Sequence, residues 1–422
     1  MGYAMQTLER ADRFGNPYAP GLPYARGQIL TSTQTDFRKL EHAWRIIRDR
    51  GAERVFNFTG LEHGLPMEPG ELALMTDELA PSFYAERLRD ATLKHLGGRA
   101  PAHDVALLNR ITAATICTAL ETIRPGDVMI GVSASFSHPS VSRAARIAGA
   151  QFVDVVGADG LEAELARNKN VGLIVMTRLA VTYEMLDLDQ IRRIIAAARA
   201  RDIVLYVDDA GGARVGPAIF DQPRMLDLGA DLVATGLDKY GTRGPRLGLL
   251  AGRSDLVAKI RARSWEMAME ARPLLFPAVV HTLESYTPER VRVLVETTKA
   301  VNKEAKARFG DALSETPTIG VLSAESILET AMRRAGVAKA PIVPFEATAA
   351  LCMVMLKDHG ALTVHFVGVP PGTGDLLIKF IPPEVLSKFG GAKTYVDAID
   401  ASLDVVSGML EDTKGLTALY FG

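Results

Sequence analysis

Two short apolar runs between Ile203 and Gly252 constrain the fold of this chain more than any other feature. The first, IVLYV, leads into Asp208 and Asp209 and then the glycine-rich turn AGGARVG. The second, LVAT, precedes Lys239 in the polar segment GLDKYGTRGPRLG. Continuous apolar runs bounded by turn residues are typical of buried strands in a parallel sheet. The pattern therefore predicts an α/β fold that delivers two aspartates and a lysine to one sheet edge.

A lysine and an aspartate in this arrangement suit pyridoxal phosphate (PLP). That cofactor needs a lysine for its Schiff base and a carboxylate facing the pyridine nitrogen, so that the ring can take up electrons. We predict Lys239 in the first role and Asp208 in the second, while Asp209 hydrogen-bonds the backbone of Gly211 and Gly212. The alternative is ordinary: acids that follow strands cap turns, and loop lysines are usually solvated.

The motifs VDDAGGARVG and DKYGTRGPRLG resemble the selenocysteine-synthase-like branch of fold-type I PLP-dependent enzymes, most closely its archaeal members of poorly defined activity. The likeness spans residues 56 to 263. It implies the fold-type I transferase fold, an α/β fold with a mostly parallel seven-stranded sheet, helices on both faces and a smaller α+β C-terminal domain. It also implies Lys239 as the Schiff-base lysine and Asp208 as the ring-nitrogen partner.

The same resemblance favours a lyase that performs α,β-elimination or β-replacement on an amino acid or amino sugar acid, through a Schiff base on Lys239 and a quinonoid. A PLP-dependent aldolase or aminotransferase would use the same residues. An alternative from another class is a non-catalytic PLP-fold protein with a binding or regulatory role, against which the presence of both Lys239 and Asp208 argues. A nucleotide-binding dehydrogenase is disfavoured because the chain has no G-x-G-x-x-G motif.

A binding site for the cofactor phosphate is predicted where the run DVALL meets a helix that begins near Thr112. The first N–H groups of a helix bind anions readily. We predict that the N–H groups around Thr112 and Ala113, the Thr112 hydroxyl and the Arg110 side chain hold the phosphate, and that Asn109 and Thr242 complete the cofactor contacts. The family resemblance places the phosphate at this junction; a plain threonine N-cap is the alternative.

Aromatic and polar side chains near other turns are further candidates. His138, which precedes a proline after the run VMIGV, is predicted to cover the cofactor ring, with Phe136 as the second choice and a structural histidine as the alternative. By resemblance, Asn57, Thr59 and His63 lie close to the active site, although a simple turn explains them equally well.

Basic residues that could grip a substrate anion follow several predicted strands. Lys379 stands where many fold-type I enzymes carry an arginine, and its ammonium lacks the bidentate fork of a guanidinium. The substrate-binding candidates are Arg178, Arg214, Arg243, Arg246 and Lys379.

The length of 422 residues exceeds one compact core and predicts more than one domain. We expect an N-terminal arm and helix over residues 1–55, a PLP-binding large domain over 56–290 and a small C-terminal domain over 291–422. The arm covers about the first 30 residues, and the helix over residues 33–50 is expected to pack through Leu40, Trp44 and Ile47.

Composition and net charge indicate which classes of molecule the protein is expected to bind. A net charge of −2 makes nucleic acid an unlikely main partner, and the small-molecule substrate is expected to resemble an amino acid. Without a long apolar run or a signal peptide, the protein is expected to be cytoplasmic. Cys117 and Cys352 are predicted to be buried thiols, and no histidine spacing suggests a metal site. Fold-type I sites are commonly completed by a second subunit, so we expect a homodimer or higher homo-oligomer with a shared active site.

Overall fold

The computed structural model describes residues 11–339 and 341–422. The strands of these residues are, in chain order, β1 (Phe56–Asn57), β2 (His103–Leu108), β3 (Val128–Ser133), β4 (Gln151–Val156), β5 (Val171–Thr177), β6 (Leu205–Asp208), β7 (Leu232–Gly236), β8 (Gly248–Arg253), β9 (Leu313–Glu315), β10 (Ile319–Leu322), β11 (Ala361–Leu362) and β12 (Leu376–Lys379).

The α-helices of the same residues are, in chain order, α1 (Thr33–Arg50), α2 (Leu79–Leu96), α3 (Ile111–Thr122), α4 (Pro139–Ala148), α5 (Gly157–Arg167), α6 (Leu188–Ala200), α7 (Gly212–Ile219), α8 (Met225–Leu228), α9 (Ser254–Glu266), α10 (Phe276–Glu284), α11 (Pro288–Phe309), α12 (Ala324–Ala335), α13 (Pro344–His359), α14 (Pro383–Phe389), α15 (Ala392–Gly408) and α16 (Thr413–Phe421).

One compact unit spans Glu62–Arg292 and contains a seven-stranded sheet in the order β2-β8-β7-β6-β5-β3-β4. Only β8 runs antiparallel to its neighbours. Each face of the sheet has its own apolar core: Val105 and Leu107 of β2 belong to one, and Ala106 and Leu108 to the other. Helices therefore cover both faces, and the predicted mostly parallel seven-stranded sheet is confirmed.

The carboxyl ends of the parallel strands lie at one edge of this sheet. β6 ends at Asp208 and pairs in register with Thr177, the last residue of β5. On its other side it pairs with β7, which ends at Gly236 just before the Lys239 turn. The two predicted catalytic residues thus follow adjacent strands, as the apolar runs indicated.

The second compact unit contains residues 11–61 and Val293–Gly422. Its core surrounds α13, which is buried along almost its whole length. A three-stranded antiparallel sheet, β12-β10-β9, and the short parallel pair of β1 and β11 complete it. Residues 11–61 belong here because β1 pairs with β11 and the carboxylate of Glu346 accepts the N–H groups of Ile29 and Leu30. The boundary of the large unit therefore falls at residue 62, where the sequence suggested 56.

Helix α1 has the predicted bounds, and two of its three predicted packing residues, Leu40 and Ile47, pack against the core of this unit. Its buried residues are Asp36, Lys39 and Ala43, whereas Trp44 is half exposed and contacts the ring of Phe37 edge-on. Asp36 is buried against an ion-pair partner, since Arg26 Nη2 lies 2.7 Å from one of its carboxylate oxygens. Apolar periodicity could not reveal a face that is buried through charged side chains.

Residues 1–10 of the predicted arm lie outside the described residues. Tyr24, in the part that is described, stacks on Phe345 with 4.2 Å between ring centroids. Cys117 and Cys352 are buried thiols, as predicted. Among the helices of the described ranges, we find none long and apolar enough to span a membrane.

Candidate active site

Asp208 ends strand β6 with its side chain buried at 3% exposure. Within the described residues its Oδ1 atom has no hydrogen-bond partner, a rare and costly state for a buried oxygen. Burial raises the pKa of Asp208 to about 6, while the nearby charge of Lys239 acts in the opposite direction. The site therefore offers a buried acceptor that suits an N–H donor of a ligand.

Lys239 lies in a tight turn beyond β7. Tyr240 and Gly241 have φ angles of 45° and 100°, as in a type I′ turn. A Cβ added at Gly236 would lie 3.0 Å from Cε of Lys239, so the lysine side chain passes over the bare end of β7. Burial lowers the pKa of the Lys239 amine, while Asp238 opposes this shift. The amine is therefore more often neutral and nucleophilic than a solvated lysine.

Thr242 stabilises this turn, and the cofactor contact predicted for it stays a prediction. Its side chain is buried, and its hydroxyl donates to the Lys239 carbonyl oxygen at 2.8 Å. Its N–H approaches the same oxygen at 3.3 Å. The hydroxyl is thereby committed to holding the lysine turn.

The start of α3 corrects the predicted anion site by one residue. Arg110 is the N-cap, and the Ala113 N–H donates to its carbonyl at 3.0 Å, so this amide is used within the helix. Ile111 and Thr112 supply the leading N–H groups, which lack intrahelical acceptors. The Asn109 amide donates to the Ala268 carbonyl at 3.3 Å and ties down the loop, a different contact from the one predicted.

Gly248 of strand β8 packs closely against the first residues of α3. A Cβ at Gly248 would lie 2.5 Å from the Arg110 carbonyl oxygen and 2.6 Å from the Ile111 nitrogen. Only glycine fits this contact without moving backbone atoms.

Gly248→Ala is expected to destabilise the protein by about 1–3 kcal/mol, because the added methyl group pushes the start of α3 off β8. Urea unfolding measures this change. The control is Gly408→Ala at the end of α15, where an added Cβ meets nothing within 4 Å and stability should stay level or rise slightly. Equal stability of both variants would contradict the close contact.

Arg246 lies beside the same region. Its Nε atom is 3.7 Å from a carboxylate oxygen of Asp238. Burial lowers the pKa of Arg246, Asp238 raises it, and the charge of Arg110 lowers it further. Arg246 therefore shares the electrostatic environment of the α3 start, and the role predicted for it in substrate binding stays a prediction.

Arg178, a substrate-binding candidate, contacts other groups of the protein, and its substrate role stays a prediction. It is fully buried, with Nη1 at 3.3 Å from Asp209 and Nε donating to Gln222 at 3.0 Å. Its guanidinium fills a groove that exists because Gly212 and Gly216 of α7 lack side chains. Every one of these partners lies inside the protein.

The structure also corrects the contact predicted for Asp209. It was predicted to hydrogen-bond the backbone of the glycine turn, but its carboxylate pairs with Arg178. Within the described residues its second oxygen, Oδ1, has no hydrogen-bond partner. The apolar run could not reveal this pairing because Arg178 follows a different strand.

Arg214 is a second substrate-binding candidate that is surrounded by protein groups, and its substrate role likewise stays a prediction. Its side chain is fully buried, and one nitrogen donates to the carbonyl oxygens of Ala210 and Gly236 at 2.8 and 2.7 Å. A substrate could not reach this guanidinium without displacing the turn around it.

Two of the remaining candidates, His63 and Arg243, lie beside the Lys239 loop. His63 Nδ1 is 3.9 Å from Asp238, and the carboxylate of Glu62 accepts from Arg243 at 3.0 Å. Asp238 was missed by the sequence reasoning although it adjoins Lys239; it is buried, and its carboxylate meets both His63 and Arg246.

His138, the predicted ring cover, is the exposed N-cap of α4, and its Nδ1 accepts the Ser140 N–H at 3.2 Å. Phe136 lies just before it and is partly buried. Their position beyond β3, at the edge where Asp208 lies, agrees with the prediction, and the contact with the ring stays a prediction.

The candidates of the second unit form contacts of their own. The side-chain oxygen of Asn57 accepts the Thr59 N–H and hydroxyl at 3.0 and 2.6 Å, as in a simple turn. Lys379 is buried at the end of β12, where its side chain packs against Gly60. Its predicted substrate role stays a prediction.

Comparison with known proteins reveals relatives over most of the chain. A pyridoxal phosphate-dependent protein of Methanothermobacter thermautotrophicus is 28% identical over 402 residues, covering 93% of this chain and 100% of the relative. A protein of the same name from Methanosphaera stadtmanae is 26% identical over 347 residues, covering 81% and 87%. No protein-family model matches the chain.

Solved structures identify the fold. N-succinyldiaminopimelate aminotransferase from Mycobacterium tuberculosis superposes with a TM-score of 0.56 at 16% identity, covering 88% of this chain and 96% of that one. The chain therefore has the aminotransferase-like, fold-type I architecture predicted from the sequence.

Proposed function

We propose that this protein is a PLP-dependent enzyme of fold type I. The observation that carries the proposal is the placement of Asp208 and Lys239 at the ends of adjacent parallel strands, with a buried Asp208 oxygen that has no hydrogen-bond partner in the described part of the chain. Two further findings support it: the relatives are named pyridoxal phosphate-dependent proteins, and the fold is that of solved aminotransferases.

The residues present fit this cofactor. The N–H groups of Ile111 and Thr112 suit its phosphate, together with the side chains of Arg110 and Arg246. Asp208 Oδ1 suits the pyridine N–H, and the Lys239 amine suits the aldehyde carbon. When bound, PLP supplies an electron sink that stabilises negative charge at Cα of an amino acid.

Two protons are then controlled by the chain itself. Lys239 Nζ takes the proton from the substrate Cα, and the lowered pKa of this amine increases the neutral fraction that can act as the base. The Asp208 carboxylate holds the proton of the ring nitrogen; because its pKa is about 6, it is mainly ionised at pH 7 and above. Thr242 keeps the lysine turn in place through the Lys239 carbonyl.

The proposed reaction is α,β-elimination or β-replacement on an amino acid or amino sugar acid. Cα loses its proton to Lys239 Nζ, and a substituent on Cβ leaves with its bonding electrons. The unsaturated amine so formed adds water and releases ammonia and a keto acid, or accepts a nucleophile at Cβ. The support for elimination is the resemblance of the motifs around Asp208 and Lys239 to a branch that contains such enzymes. The shared active site of a homodimer stays a prediction.

The test is incubation of the purified holoprotein with β-chloroalanine or O-acetylserine in the absence of any keto acid. We expect ammonia and pyruvate in equal amounts. Alanine is the matched control, because it has the same backbone without a leaving group and should give neither product. Products that form only after a keto acid is added would show transamination and contradict elimination, and a complete lack of turnover across amino acids would favour the non-catalytic alternative.

A further inference from the structure

Arg214 joins the ends of the two strands that carry Asp208 and Lys239. Its Nη2 atom lies 2.8 Å from the Ala210 carbonyl, just beyond Asp208, and 2.7 Å from the carbonyl of Gly236, the last residue of β7. The same nitrogen donates to the Thr235 hydroxyl at 2.9 Å, and this hydroxyl in turn donates to Ala210 at 3.0 Å. One buried side chain therefore fixes the spacing of both strand ends.

Among the residues that the structure describes, no carboxylate contacts the Arg214 guanidinium. Its remaining partner in the described part of the chain is His95, whose Nε2 lies 3.2 Å from Nη1. Burial and the Arg214 charge lower the pKa of His95 to about 3, so this histidine is a neutral acceptor. A guanidinium stays protonated in proteins, so a permanent positive charge remains at this position.

Arg178 differs from Arg214 in its direct contact with a carboxylate. Both arginines are completely buried. Arg178 pairs with the Asp209 carboxylate, whereas Arg214 binds carbonyl groups, a hydroxyl and a neutral ring. Burial lowers the pKa of Arg214, whereas Asp209 and Asp238, which act on it only from a distance, both raise it.

We infer that Arg214 is a positioning residue of the Lys239 centre, which clamps β6 to β7 and places a positive charge at the Gly236 end of β7, over which the Lys239 side chain passes. The groups that face Lys239 agree with this: Asp238 and Asp208 favour its protonated form, while Arg246 and Arg214 disfavour it along with burial. The inference deepens the proposed function and rests on it for the task of Lys239.

The effect of the Arg214 charge on the Lys239 amine is tested in the cofactor-free protein. The rate at which acetic anhydride modifies Lys239 is followed against pH by peptide mass spectrometry, because only the neutral amine reacts. Removing a nearby positive charge favours the ammonium form of Lys239. Arg214→Met should therefore move the midpoint of the rate-versus-pH curve to higher pH by about half a unit or more. Arg214→Lys and Thr235→Val keep the charge and should leave the midpoint near that of the unchanged protein.

The clamp is tested by hydrogen exchange of the Gly236 amide, which donates to Ala210 at 3.3 Å. Arg214→Lys should speed this exchange about tenfold, because the short ammonium cannot replace the guanidinium fork. Unchanged exchange would overturn the clamp even if Arg214→Met failed to fold.

An unchanged midpoint in folded Arg214→Met, or an equal shift in Arg214→Lys, would overturn the role of the charge. Neither measurement needs PLP. A failure of the proposed function would leave both results intact, so the two failures are distinguishable.

Discussion

Lys239→Ala is expected to abolish amino-acid turnover, with a loss of at least about 10³-fold, and to leave the fold intact. The variant removes the group proposed both to hold the cofactor and to move the Cα proton, and general-base catalysis alone typically contributes 10² to 10⁴ in rate. The Lys239 ammonium is disfavoured by burial, so its removal should not lower stability. Ammonia release and thermal unfolding measure the two effects.

The matched control is Lys259→Ala on the exposed side of α9. It removes the same side chain from the same compact unit and should leave turnover unchanged. A Lys239→Ala protein that retains turnover would eliminate the proposed mechanism.

Asp208→Asn is expected to slow turnover by about 10²-fold, because an amide cannot hold the ring nitrogen proton as a carboxylate does; a charged hydrogen bond contributes roughly 1.5–3 kcal/mol. The same variant should make the cofactor-free protein more stable at pH 8. Burial raises the pKa of Asp208 from 3.8 to about 6, so the folded state prefers the neutral acid.

The pH range in which burial of Asp208 lowers stability follows from this pKa shift. Below pH 3.8 the acid is neutral in both states and burial carries no ionisation penalty. The penalty grows as pH rises towards 6 and is complete above it, at about 3 kcal/mol. Urea unfolding should therefore show Asp208→Asn up to about 3 kcal/mol more stable than the unchanged protein at pH 8, with no gain below pH 4.

Asp189→Asn is the control for both measurements, because the Asp189 side chain on α6 is 91% exposed. It should change neither turnover nor the pH dependence of stability. Full activity of Asp208→Asn, or a loss of stability at pH 8, would contradict the assignment of Asp208 as the buried carboxylate that accepts the ring N–H group of the cofactor.

The placement of Asp208 and Lys239 was predictable because Asp208 ends one strand with an uninterrupted apolar run and Lys239 lies in the turn after the next. The two aspartates behave differently for a reason that local sequence does not contain. Asp209 is bound by Arg178, which follows another strand, and the groove for Arg178 depends on Gly212 and Gly216 of a helix further along the chain.

The buried contacts of charged residues are the part of the site that local sequence did not predict. Arg178 and Arg214 resemble anion-binding side chains in the sequence, yet both are buried partners of the backbone and of other side chains. Helix α1 shows the same limit, since Asp36 is buried through Arg26. Apolar periodicity predicts which elements form and which of them adjoin, whereas buried polar contacts depend on residues brought together only by folding.

Borohydride labelling tests the central claim most directly. The visible absorption spectrum of the purified protein is recorded before and after reduction, and the labelled peptide is then identified by mass. We predict a yellow chromophore that reduction fixes on the peptide containing Lys239. A protein that stays colourless even after PLP is added, or a label on a different lysine, would contradict the account.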